Sequence, residues 1–158
     1  MITSERKQEI EMMLKSDSEK LMSIVKDLKA SIHITCHYYA DNSVMSLVFF
    51  HPEKGGCDHS ATPDGMNKLI DKFQLAAELT TEREMSIKSE LAEIKQNIDD
   101  IANELQYTTA ISVVYFPTKP AVFVDVLTEN KISAHNVEQI PGMLKNFNPP
   151  ERIEFTNE

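Results

Sequence analysis

Between Ile10 and Leu28 the apolar residues fall at Ile10, Met13, Leu14, Leu21, Ile24, Val25 and Leu28. That spacing follows the helical period and predicts a helix over residues 4–29 with one buried stripe. Ser16 and Glu19 have capping-box spacing, and Asp17 stands where the stripe asks for an apolar side chain, so the helix is expected to break near Lys15. The period then changes to two. Ile32, Ile34, Cys36 and Tyr38 alternate with Ser31, His33, Thr35 and His37, and after the turn residues Asp41 and Asn42 the run from Val44 to Phe50 is apolar on both faces. Residues 31–39 and 43–50 are therefore expected to form a β-hairpin whose second strand is well covered.

Residues 52–62 read as a loop, the most Gly-rich stretch of a chain with four glycines. Thr62, Pro63 and Asp64 supply a capping hydroxyl, a proline at the first helical position and an acid at the positive helix end, which starts a helix expected to reach Leu79. Thr81 and Glu84 form another capping box, so a further helix is expected over 81–106. Its apolar residues Ile87, Leu91, Ile94, Ile98, Ile101 and Leu105 are spaced in alternating steps of four and three, the spacing of a coiled-coil seam. Residues 108–116 and 121–127 give a second hairpin. Asp125 sets its facing, with Val122, Val124 and Val126 turned to the core. A last helical segment is expected over 133–147, and Arg152 to Thr156 alternates like a short edge strand.

Residues 10–68 can be laid over 87–145 without a gap. Ile10 falls on Ile87, Ile34 on Ile111, Tyr38 on Tyr115, Gly65 on Gly142 and Met66 on Met143. The expected fold class is therefore α+β, with internal duplication of a helix–β-hairpin–helix unit, antiparallel sheet packed by helices, and a long coiled-coil-like helix at 81–106. Residues 1–158 are taken as one folded unit, with one pseudo-repeat over about 4–79, a second over about 81–147, and 148–158 a tail or short edge strand.

Composition changes this picture in few places. A chain of 158 residues buries enough surface to need no disulfide or metal staple. No stretch approaches the length of a membrane span, and the polar start gives a cytoplasmic expectation. The net charge of −9 argues against direct nucleic-acid binding. Residues 78–106 carry eight acids against three bases. That helix face is therefore either a solvated surface or a mimic of a nucleic-acid backbone.

Candidate chemistry is sparse. His33, Cys36, His37, His51, Cys57 and His59 concentrate in the first half. A zinc set drawn from His37, His51, Cys57 and His59 is the runner-up reading, although the spacing matches no established pattern. Cys57 and His59 also have the residue types of a thiol nucleophile and its base, the basis for a small-hydrolase alternative. Cys36 reads as a core residue. No residue is singled out as catalytic, and no cofactor is expected.

The seam from Ile87 to Leu105 is the most specific candidate surface, for a second chain or for the first helix of the same chain. A small acidic α+β chain with helices flanking hairpins resembles the dimeric secretion chaperones that hold an unfolded effector segment, and the long helix at 81–106 departs from their pattern. Small acidic α+β proteins that inhibit host enzymes are a looser comparison. The expected function is a non-enzymatic protein-binding module (regulator, inhibitor, chaperone or adaptor) acting as a homodimer. The rivals are a metal protein or hydrolase at the His51/Cys57/His59 loop, an acidic nucleic-acid mimic, and a small-molecule binder between the two repeats.

Overall fold

The computed structural model describes residues 2–39, 43–50, 57–60, 62–118, 120–127 and 132–147. The first helical stripe forms one unbroken helix, α1 (Ser4–Leu28), capped by Thr3, which accepts the Arg6 N–H at 3.1 Å. The break expected near Lys15 does not occur. The Asn97 amide donates to both oxygens of Asp17, at 3.0 and 3.3 Å, and the Ser18 hydroxyl donates back to the Leu14 carbonyl at 2.6 Å. Both polar residues are thus satisfied without interrupting the helical ladder. The second long helix, α3 (Thr81–Leu105), is capped by Thr80, one residue before the expected Thr81.

The strands β1 (Ser31–Tyr38) and β2 (Ser43–Phe50) form the first hairpin, and β4 (Thr108–Val114) and β5 (Ala121–Leu127) form the second. Three expectations need correction. Cys57–Ser60 is a strand, β3, inside the stretch read as loop; pairing with β2 makes it so, since Cys-Asp-His-Ser has little strand propensity. The helix α2 (Pro63–Lys72) stops well before Leu79. Residues 133–147 are not a helix. They pass through β6 (Ile132–Ala134) and a short 3₁₀ turn (Val137–Gln139) into turns. There Pro141 removes a backbone donor and Gly142 sits at φ 90°, a left-handed conformation that glycine adopts without cost. The expected edge strand at 152–156 and the tail at 148–158 lie outside the described residues.

The six strands among the described residues belong to one antiparallel sheet in the order β3-β2-β1-β4-β5-β6. The two halves meet at the β1–β4 pair, where Ile34 lies opposite Ile111, Ile32 opposite Val113 and Cys36 opposite Thr109. Exchanging each residue for its counterpart 77 positions away leaves this pairing unchanged. The hairpins share a register too: Ile34 pairs with Leu47, and Ile111 with Val124. Both long helices have 25 residues, and each ends on a left-handed cap, Lys29 or Gln106.

Beyond the hairpins the correspondence shifts. Leu47 pairs with Ser60, whereas Val124 pairs with Ala134, 74 positions after Ser60. On that shorter offset Thr62 matches Asn136, and each caps by accepting the N–H three residues on. Met66 and Ile70 then match Ile140 and Leu144, all four buried. The Gly-Met-x-Lys echo that aligned without a gap therefore does not mark equivalent positions. Counted by register from equivalent strand positions, the connection into β6 is three residues shorter than the one into β3.

The core lies between the sheet and its helices. Ile32, Ile34 and Cys36 of β1 and Ile111 and Val113 of β4 are fully buried, as are Leu14, Leu21 and Ile24 of α1 and Ile94 and Ile98 of α3. The long helices run antiparallel, held at both ends by matched ion pairs. Arg6 meets Glu104 through two hydrogen bonds of 2.7 and 2.8 Å, and Arg83 meets Asp27 at 2.7 Å. Arg6 also holds the Glu104 carboxyl below the usual carboxylate range. α2 packs against α3, and the 3₁₀ turn packs against α1. The helical segments therefore share one side of the sheet.

Candidate protein-binding face

Alternation along each strand puts a second set of residues on the side away from the helices. On β1 this set is Ser31, His33, Thr35 and His37. Its β4 neighbours in the ladder are Ser112, opposite His33, and Ala110, opposite Thr35. Ile32, Ile34 and Cys36 are sealed, whereas His33, Thr35, His37, Ala110, Ser112 and Val114 are half-buried. Half-burial of this kind is what neighbouring strands alone supply. No described helix packs over these residues.

The face can be followed outward by register. Val48 lies opposite His33 on β2, and His59 lies opposite Val48 on β3. On the other side Phe123 of β5 lies opposite Ser112. The Phe123 ring meets the His135 ring edge-on, with centroids 5.8 Å apart. Asp125 is opposite Ala110 on β5 and opposite Ser133 on β6. Among the described ladder positions of this set, Asp125 is the one Asp, Glu, Lys or Arg, in a chain in which those residues make up 26%. Open sheet faces normally alternate in charged side chains, because water is their other layer. Depletion of charge on a half-buried face is instead the composition of an interface core.

Burial pushes the His33 imidazole below the usual histidine range, so its neutral form is favoured. The same row carries a serine hydroxyl, a valine position and a phenylalanine. It offers hydrogen-bonding groups and apolar area without fixed charge.

The residues picked out from the sequence go elsewhere. Ile87, Leu91, Ile94, Ile98, Ile101 and Leu105 are all buried against the chain's own core, with at most 2% of their surface exposed. Of the two partners expected for this seam, the chain's own elements meet it, because α3 lies on β1 and against α1. The register also sets His37 apart from His59. His59 shares a ladder row with His33, two strands and about 10 Å away, and His37 lies about 13 Å further along β1. Cys57 is opposite Phe50, and His51 lies outside the described residues. Cys36 is a core residue, with its thiol 3.3 Å from the Asp99 carboxylate. Three acids of α3 illustrate partners within the chain. Glu90 meets Arg83, Glu93 meets Lys20, and Asp100 accepts from Gln96. No helix among the described residues is long and apolar enough to cross a membrane.

Hydrophobic periodicity marks the buried side of each strand and is silent on the other side. A signal was present: two central strands of a highly charged chain carry Ser, His, Thr and Ala where Lys and Glu are ordinary. The chain matches no family model, no curated protein and no solved structure.

Proposed function

We propose that this chain is a non-enzymatic protein-binding module, and that the helix-free face of its sheet is the binding surface. The observation that carries this reading is the near absence of charge on a sheet face that no described helix covers. The function is that of a regulator, adaptor or chaperone-like holder, with an aromatic position, Phe123, beside a floor of small hydroxyl and imidazole side chains. Interface cores favour this composition, and aromatic anchors carry a large share of binding energy. The matching 25-residue helices, caps and hairpin registers support descent of the two halves from one duplicated helix–hairpin unit.

Site-specific photo-crosslinking in the cells that make the protein tests this reading. A photoreactive side chain at Thr35 is expected to give a discrete protein adduct that Ser112→Arg abolishes. The same group at Met85, which is 66% exposed on α3, serves as the control. Equal adduct patterns from Thr35 and Met85, or none from Thr35, count against the reading.

A further inference from the structure

Charge depletion on one face raises the question of which protein covers it. We infer that the occupant is a second copy of this chain, packed sheet-to-sheet so that the helical layers face outward. The inference rests on the protein-binding reading and names the partner for the same face.

Three observations favour a second copy over a different protein. The first is charge. Each copy carries −9, and the helical side holds the acidic stretch from Glu78 to Glu104. Contacts between copies through helices set like charge against like charge, whereas the helix-free sheet face brings together one carboxylate position from each. The second is selectivity. A heterologous partner is ordinarily chosen and steered by complementary charge, and this face has almost none to offer. A twofold self-contact needs only that the face match itself, and a face almost without fixed charge does so without setting like charges together.

The third is area. The two hairpins supply four strands of seven or eight residues, and β3 and β6 supply shorter edges. At about 4.8 Å between strands and 3.3 Å per residue, the face covers roughly 600 Å². Two copies then bury about 1,200 Å² in total, the lower bound for a specific and stable interface. Sheets packed face to face lie about 10 Å apart, and the short side chains of Thr35, Ala110 and Ser112 at the centre of the face let two such faces approach to that distance.

Sedimentation of the purified full chain over about 1–100 μM tests the inference directly. The expected result is a species of twice 17.9 kDa that dissociates on dilution. Ser112→Arg and, separately, Thr35→Glu place a charge at the centre of the face, and each is expected to raise the dissociation constant by at least tenfold while the helical circular dichroism stays unchanged. In the unmodified protein, the His33 ring resonances are expected to shift on dilution in step with the mass, a readout that needs no variant. A monomer throughout the range overturns the second copy, and so does a dimer whose mass and His33 resonances ignore dilution and both charges. Either outcome leaves the protein-binding reading to the Thr35 crosslink, which a failed dimer does not touch.

Discussion

Two residues have pKa values shifted chiefly by burial, with opposite consequences for stability against pH. Asp17 is 2% exposed in the stripe between α1 and α3, and burial raises its pKa while the Asn97 amide works against the rise. A raised carboxyl pKa means that its contribution is fully favourable below the unfolded value of 3.8 and is lost as pH climbs through the folded value. Asp17→Asn keeps an acceptor for Asn97 and removes the charge. It is expected to stabilise the protein at pH 7 by about 1 kcal/mol, a melting-point gain of roughly 2–4 °C. Melting curves at pH 7 and pH 3 check this, since the gain should vanish at the acid end. His33 behaves in reverse. Its pKa is lowered by burial, so its contribution is complete above 6.5 and fades as pH falls through the folded value. His33→Gln should flatten the loss of stability between pH 7 and pH 5, and an unchanged slope in that window contradicts the burial argument.

Among the elements, the long helices and hairpins were legible because their periods are unbroken over many residues. The six residues from Ile87 to Leu105 announced a buried stripe, and each is buried. Their partner was not legible, because a four–three spacing fits a helix of the same chain as well as one from another. Ile98→Ala is therefore expected to act as a core truncation. It should cost about 3 kcal/mol in denaturant unfolding, while charged substitutions on the sheet face leave folding intact. The boundaries were less legible. At Thr80-Thr81 two adjacent hydroxyls compete for one cap, and local sequence does not choose between them. The register of the Arg83 N–H decides for Thr80, and Thr80→Ala should cost about 1 kcal/mol. The last segment had helical spacing at Val137, Ile140, Leu144 and Phe147. Pro141 and Gly142 override it, and the side chains still reach the core from turns.

At the scale of the molecule, the sheet and the helix pair obey the same exchange of halves. Ile34 faces its counterpart Ile111 at the centre, and Arg6–Glu104 mirrors Arg83–Asp27 at the helix ends. These ion pairs are partly solvated, so each is expected to contribute less than about 1 kcal/mol and to weaken with salt. Sequence comparison reached this correspondence through the hairpins and lost it after them, where a three-residue difference in the connection shifts the frame. The candidate face was hidden for a related reason. Hydrophobic periodicity marks the side of a strand that faces the core, and the other side becomes informative only when register lines up six strands. Laid together, Thr35, His33, Ser112, Ala110 and Phe123 form a surface that no single strand suggested.

Hydroxyl-radical footprinting of the unmodified protein, read by mass spectrometry across a dilution series, tests most directly whether that surface is covered in solution. Met12, Met85, Tyr39 and Phe116, the large apolar residues exposed among those described, should oxidise readily at every concentration. Phe123 and His33 should be protected at high concentration and become reactive on dilution. Oxidation of Phe123 and His33 at a rate independent of concentration would contradict the account.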